Sequence, residues 1–309
     1  METERGHVAV LQQEALLALE INPTGIYLDG TYGRGGHSEL ILQSLGDEGR
    51  LVALDQDPEA IADGKRRFGD EPRFSLYKRN FEALEEVAVE AGVAGRLNGI
   101  LLDLGVSSPQ LDTAARGFSF NQDGYLDMRM DPEQGLSASE WLSEVSVEEL
   151  AAVLRDYGDE RFAKRIARAI VAEREDRPLT STLQLAEVIK VAHPRWDHQR
   201  HPATKSFQAI RIHVNRELAV LQKALEQSAK LLAIGGRLVV ISFHSLEDRA
   251  VKRFLRGPVR DQNLPRHLPV VDTHVRTMKP LKKQTAGEAE LERNPRARSA
   301  VLRIGVRVA

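Results

Sequence analysis

The sequence predicts an α/β fold: a mostly parallel sheet whose chain is interrupted by a helical insert. Three observations predict it. Strand and helix patterns alternate over the first hundred residues, the alternation breaks after residue 109, and it resumes after residue 204. Short apolar strands alternating with helices of about 10–15 residues mark parallel strands joined by helical crossovers. The 309 residues suit about two domains. With 42% hydrophobic and 28% charged residues the chain can bury an ordinary core, which excludes global disorder.

The elements follow in order. Residues 8–19 have amphipathic helical spacing. Residues 25–29 form a short buried strand ending in Asp29; a glycine-rich stretch, 30–36, precedes helical spacing over 37–45. A second strand, 50–55, ends in Asp55 and leads to a helix over 58–68. A third strand covers 73–77 and a helix 81–91. The fourth strand, 97–104, is apolar enough to lie inside a sheet. Residues 109–135, rich in Gly, Asp, Phe and Met, follow no clean period. Helical spacing then covers 139–143, 147–157, 162–173 and 181–192, and 193–202 break it. One long helix is expected over 205–232, followed by Gly235-Gly236, a strand over 237–242 and a helix over 246–255. Residues 256–295 are loop-rich and basic, and 299–308 alternate as a final strand, so that a C-terminal strand pair completes the sheet. Residues 1–109 and 205–309 are thus expected to form the α/β domain, with 110–204 as the insert. The insert follows a strand end, where open α/β sheets bind ligands.

Composition removes several function classes. There is no cysteine, so disulfides, Cys-based zinc sites and thiol catalysis are excluded. The N-terminus lacks a basic stretch followed by an apolar run, and apolar runs such as 238–241 are too short to span a bilayer, so a cytoplasmic protein without membrane attachment is expected. The net charge of −2 is unevenly placed: residues 249–309 hold 15 Lys+Arg against 5 Asp+Glu, a net of +10, which leaves −12 on the rest. A basic segment on an acidic chain can attract a polyanion. Lys279, Lys282, Lys283, Arg296 and Arg298 are its candidate phosphate contacts.

Four motifs carry the chemistry. In the first, Asp29-Gly30-Thr31-Tyr32-Gly33-Arg34-Gly35-Gly36-His37, a strand runs into a helix through glycines that permit positive φ and close backbone approach. It lacks the sixth-position glycine of the dinucleotide fingerprint and the Lys-Ser/Thr of a P-loop. Asp29 disfavours a pyrophosphate and suits a cationic or zwitterionic ligand. The second is Asp55, 26 residues later, placed to accept hydrogen bonds from two ribose hydroxyls. A strand-terminal Asp is often a helix cap, but Asp57-Pro58 supplies that cap here. The third is Asn80-Phe81, an aromatic placed to stack on a purine or to join the core. The fourth is residues 101–110 (LLDLGVSSPQ), where Asp103 ends an apolar strand, a costly place for an unused carboxylate. Together they describe an S-adenosylmethionine (SAM) pocket: glycines at the methionine portion, Asp55 at the ribose, Phe81 at the adenine and Asp103 at the reactive edge.

Residues 29–37 (DGTYGRGGH), 101–110, 116–131 (RGFSFNQDGYLDMRMD), 201–215 (HPATKSFQAIRIHVN), 241–249 (ISFHSLEDR) and 294–302 (NPRARSAVL) closely resemble the bacterial 16S rRNA (cytosine-N4)-methyltransferase family, RsmH or MraW. The resemblance covers about residues 7–256 and 293–309 and leaves out 257–292. It implies a Rossmann-like class I SAM-dependent methyltransferase acting on N4 of a cytidine in the decoding centre of small-subunit rRNA, position 1402 in the usual rRNA numbering. By motif position it implies SAM contacts at Gly35, Gly36, His37, Asp55, Phe81, Asp103 and Gln110, and substrate recognition by the insert.

Asp103 is the expected acceptor for an N4–H, and His244, after a strand beside the site, is the second expected catalytic residue. Phe118, Phe120, Trp141, Phe243 and His244 are the aromatic candidates for stacking on the base, and for any one of them a place in the core is the commoner role. His193, His198 and His201 invite a metal reading but lack regular ligand spacing, and no metal is expected. The apolar residues of the insert serve either as its own core or as a surface between two copies, so a homodimer is one expectation. Two other classes compete. A nicotinamide-dependent oxidoreductase is disfavoured by Asp29 and the missing glycine; an RNA-binding assembly factor with a merely structural SAM pocket is disfavoured by Asp55 and Asp103.

Overall fold

The computed structural model describes residues 9–195, 201–257 and 277–309. The chain divides into two compact units, Met1–Gly105 with Leu218–Ala309, and Val106–Glu217.

The first half of unit one runs α1 (Gln12–Leu19), β1 (Ile26–Asp29), α2 (Gly36–Ser44), β2 (Arg50–Asp55), α3 (Pro58–Phe68), β3 (Phe74–Lys78), a 3-10 turn at Phe81–Ala83, α4 (Leu84–Glu90) and β4 (Leu97–Asp103). Unit two then holds α5 (Ser108–Asp112), α6 (Ala138–Glu144), α7 (Val147–Gly158), α8 (Ala163–Asp176), α9 (Thr182–Ala192) and α10 (Ala203–Val214). Unit one resumes with α11 (Glu217–Leu231), β5 (Leu232–Ser242), α12 (Ser245–Arg256), β6 (Met278–Pro280), β7 (Gln284–Thr285), α13 (Glu288–Arg293) and β8 (Val301–Arg307).

The sheet runs in the order β3-β2-β1-β4-β5-β8-β6, with β7 also on β8. β1 to β5 pair in parallel, and β8 is antiparallel to β5. This is a Rossmann-like α/β fold. From β1 the chain first builds outward through β2 and β3, then returns to place β4 on the opposite side. Such a reversal opens a crevice at the carboxyl ends of the two central strands. Those ends are Asp29 and Asp103.

Alternation along β4 explains its central position. Ile100 and Leu102 face one layer, with Leu28, Leu54, Val240 and residues of α4, α11 and α12. Leu101 faces the other, with Tyr27, Leu51, Val239, Leu302 and residues of α1 and α2. All these side chains are buried, as a strand covered on both faces requires.

Two expectations are corrected. The long helix over 205–232 is two helices, broken where Arg216 takes a left-handed φ of 52°. At the break the Asn215 amide is used elsewhere: Nδ2 donates to the Met128 carbonyl at 2.7 Å, and Oδ1 accepts from the Met130 N–H at 2.8 Å. The divisions expected at 109/110 and 204/205 fall at 105/106 and 217/218 instead. The reason is that Phe207, Ala209 and Ile210 of α10 bury in the core of unit two with Leu150 and Leu154 of α7. Most apolar residues of the insert fill that core, while Tyr125, Leu136, Leu183 and Val191 stay exposed. Among the described residues no helix is long and apolar enough to cross a membrane.

Candidate active site

The crevice of unit one is built from the ends of β1, β2 and β4 and the glycine loop between β1 and α2. Asp29 is buried at 1% exposure. Its Oδ2 accepts from the Ser38 hydroxyl at 2.7 Å and its Oδ1 from the Thr31 N–H at 3.1 Å. Burial pushes its pKa up, against those hydrogen bonds. The loop closes over the strands by backbone contacts: Gly30 N–H donates to the Leu101 carbonyl and Tyr32 N–H to the Leu54 carbonyl, each at 2.9 Å. Tyr32 is buried against Phe68 and Phe74 and anchors the loop.

Glycine is required at two loop positions. Gly33 has φ +56° and Gly35 φ +69°. A Cβ on Gly35 would lie 2.6 Å from the Tyr32 hydroxyl, whereas one on Gly33 would approach nothing closer than 3.9 Å. The chain at Gly33 therefore faces open space, and the Gly33 N–H donates to Asp55 Oδ2 at 2.7 Å. Asp55 Oδ1 accepts from the Asp57 N–H at 2.9 Å, and burial raises the carboxyl to about 6. Asp57 caps α3 by accepting from the Glu59 N–H at 3.0 Å, which leaves Asp55 to the loop and the crevice. Phe81 is partly buried beside Gly30, and Asn80 caps the 3-10 turn that carries it.

Asp103 and His37 meet across the crevice. The Asp103 N–H donates to Thr31 Oγ1 at 2.7 Å, which ties β4 to the loop after β1. Asp103 Oδ2 lies 3.5 Å from His37 Nε2. Burial pulls the imidazole's pKa down, but the Asp103 carboxylate outweighs it and leaves the group above its ordinary value. His37 Nε2 and Asp103 Oδ1 are both buried, with no hydrogen-bond partner among the described residues. His37 Nε2 still has the Asp103 carboxylate beside it, whereas Asp103 Oδ1 has no neighbour of that kind, and a buried polar atom left so is costly and points to a ligand.

Comparisons with known proteins decide the family. The MraW methylase family profile matches residues 4–308, running through the 257–292 segment that the motif resemblance left out. The chain belongs to that family. It is 59% identical over 306 residues to ribosomal RNA small subunit methyltransferase H of Thioalkalivibrio sulfidiphilus, covering 98% of each chain. It is 56% identical over 301 residues to the protein of that name from Chromohalobacter salexigens, covering 96% of this chain and 90% of the relative. A solved rRNA methylase from Streptococcus thermophilus is 10% identical, with a TM-score of 0.44 over 97% of this chain and 98% of that one.

As a member of the family this methylase is a SAM-dependent methyltransferase, and the crevice fits that cofactor. Asp103 brings a carboxylate oxygen without a described partner to a site for a ligand with a sulfonium and an ammonium, and the glycine loop, tied down by buried Asp29, leaves room at Gly33. Seven residues were expected at the cofactor. Gly35, Gly36, His37, Asp55, Phe81 and Asp103 all lie in unit one, on the glycine loop and the helix it opens, on the ends of β2 and β4, and, for Phe81, on the 3-10 turn after β3. Gln110 lies in unit two, where it is buried and its Oε1 accepts from the Ser107 N–H at 2.9 Å. The His37–Asp103 pair escaped sequence reasoning, because 66 residues separate its members and only the β1–β4 pairing joins them.

His244 lies in unit one, in the turn between β5 and α12. It caps α12: its Nδ1 accepts from the Glu247 N–H at 3.4 Å, and its Nε2 lies 3.1 Å from Glu247 Oε1. Both ring nitrogens face the same buried residue. The expected catalytic residue His244 thus stands at the N-cap of α12, with its Nε2 buried against Glu247 and without a hydrogen bond among the described residues.

The remaining candidates have neighbours of their own. Phe118 is buried with Arg116 over its ring at 5.9 Å. Phe120 packs on His201 and Phe207, each at 4.7 Å, and Trp141 on His213 at 4.3 Å. Phe243 packs in unit one on the layer that holds Ile241 and Leu302. His193 Nε2 lies 3.6 Å from Glu160 Oε1, and His201 Nδ1 accepts from the Ala203 N–H. His198 lies outside the described residues. Lys279, Lys282, Lys283 and Arg298 are exposed, and Arg296 is partly buried.

Proposed function

We propose that this methylase transfers the methyl group of SAM to the exocyclic N4 of a cytidine in the decoding centre of 16S rRNA, with the small ribosomal subunit as its partner. The names of its relatives and the motifs that resemble cytosine-N4 methyltransferases support the substrate. The observation that carries the chemistry is the Asp103 carboxylate: Oδ1 has no described partner, and Oδ2 faces His37.

A cytosine amine is a poor nucleophile, because its lone pair is delocalised into the ring. Bound SAM supplies a strong electrophile, a methyl on a sulfonium. The chain must then hold the amine in line and bend it out of the ring plane. In this reading Asp103 Oδ1 accepts one N4–H and turns the lone pair towards the methyl. His37 holds Oδ2 and fixes the direction of the carboxylate. Methylation makes the amine cationic, so it loses a proton readily and needs no strong base. Gly35, Gly36 and His37 line the methionine portion, Asp55 accepts from the ribose hydroxyls and Phe81 stacks on the adenine. Gln110 is retained as a cofactor contact on the resemblance alone. The target base must be unpaired or flipped to be reached. The second unit contributes substrate recognition, and the exposed basic residues near the C-terminus contact phosphates. Sedimentation of the free protein tests the homodimer that the sequence left open.

Asp103→Ala tests the acceptor role. At saturating SAM its single-turnover rate is expected to fall about 10²-fold or more, the usual cost of losing alignment at a reacting atom. Wild-type turnover with SAM still bound would remove Asp103 from the mechanism.

A further inference from the structure

Helix α8 carries charges that its own fold does not use. Lys164, Arg165 and Arg168 are exposed on it, and Arg161 is exposed in the turn just before it. At 3.6 residues per turn the three helical cations share an arc of about 100°. None of the four side chains makes a hydrogen bond or ion pair among the described residues. Elsewhere in unit two Arg129, Arg155, Arg177, Lys190 and Arg211 each pair with a carboxylate. The nearest acid in sequence, Glu160, is buried and turned onto His193.

The arrangement works against the helix. Lys164 and Arg168 are four residues apart, a spacing at which like charges repel. The cations stand in the N-terminal half of α8, while Glu173, Glu175 and Asp176, with Arg174 among them, stand at its C-terminal end. That is the reverse of what the helix dipole favours. Unit two as a whole is acidic, with 15 Lys+Arg against 18 Asp+Glu, so the patch is a local concentration and not a share of a general excess. Self-repelling charges without internal partners fit an external polyanion.

We propose that the exposed face of α8, with Lys164, Arg165, Arg168 and the adjoining Arg161, is a docking surface for the phosphodiester backbone of the RNA substrate. The inference rests on the RNA reading above and adds to it a contact surface on the second unit. Contacts of this kind position a nucleic acid without reading its sequence.

The test uses the full-length protein and a labelled transcript of the decoding-centre region of small-subunit rRNA. Affinity is measured against salt for the wild type, for Lys164→Gln/Arg165→Gln/Arg168→Gln, and for a control, Arg155→Gln/Arg177→Gln/Lys190→Gln, that removes three paired cations. Each phosphate contact contributes about 0.7 to 0.9 to the slope of log affinity on log salt. The α8 variant is expected to be shallower than wild type by about 2, and the control much less changed. The α8 variant is also expected to bind SAM as wild type does and to melt no lower, because repulsion has been relieved. A slope equal to wild type, or a lowered melting temperature that marks the cations as structural, would overturn the proposal. If the wild type itself shows no salt-dependent RNA affinity, the RNA reading falls and this surface with it. A wild type that binds and methylates RNA while the α8 variant keeps its slope defeats only the surface.

Discussion

Asp55 shows how one carboxylate couples the loop to the ligand. Both its oxygens already hold backbone N–H groups, from Gly33 and Asp57, and burial lifts it from 3.8 to about 6. The folded-state value lies above the unfolded one, so the folded protein holds the proton more tightly. By itself this group makes the free protein less stable as pH rises from about 4 to about 6, by on the order of 3 kcal/mol at most. Hydroxyl donors from a bound ribose stabilise the charged form and act in the opposite direction. SAM affinity is therefore expected to weaken up to tenfold per unit as pH falls below about 6, and Asp55→Asn is expected to flatten that dependence. Titration calorimetry between pH 5 and pH 7 measures both. A wild-type affinity independent of pH over that range would remove Asp55 from the ribose. The sequence makes Asp55 and Asp103 legible, since each is a carboxylate ending an apolar strand. It does not make their partners legible, because Gly33 and His37 reach them only through the parallel pairing of β1 with β2 and β4.

At the scale of elements, the glycine loop and the break after α10 are opposite cases. The loop is legible because Gly33, Gly35 and Gly36 stand between an apolar strand and a helix, and a turn there needs positive φ. Gly35→Ala is expected to cost about 1–3 kcal/mol, from left-handed strain and contact with the Tyr32 hydroxyl. Gly92→Ala has the same φ but open space around its Cβ, and is expected to cost about 1 kcal/mol. Chemical denaturation of the two variants checks the difference. Equal costs would show that the Tyr32 contact contributes nothing. The break at Asn215-Arg216 is not legible, because helical spacing continues across it and neither residue is Gly or Pro. Its cause lies 85 residues away, in the Met130 N–H that the Asn215 amide satisfies. Asn215→Ala removes both hydrogen bonds, to the Met130 N–H and the Met128 carbonyl, and is expected to destabilise the protein by about 1–3 kcal/mol. A loss below a few tenths in the same measurement would mean that the break is held by other contacts.

At the scale of the whole molecule, alternating strands and helices were enough to predict the sheet, and the lapse in alternation was enough to predict the insert. The unit boundary was misplaced at its second end because α10 carries the same apolar spacing as the helix after it, and only packing assigns it to unit two. The uneven charge of the chain was legible in bulk. The α8 patch was not, because it is small within an acidic unit and its significance depends on exposure and missing partners. The proposed modification of a cytidine of small-subunit rRNA at N4 is put to the test by methyl transfer. Labelled SAM and the protein would be incubated with 30S particles from cells that lack it, followed by nucleoside mass spectrometry. Appearance of N4-methylated cytidine at the decoding-centre site is the result this account expects. SAM binding with no label in the particle would contradict it, leaving the fold and cofactor intact and the substrate wrong.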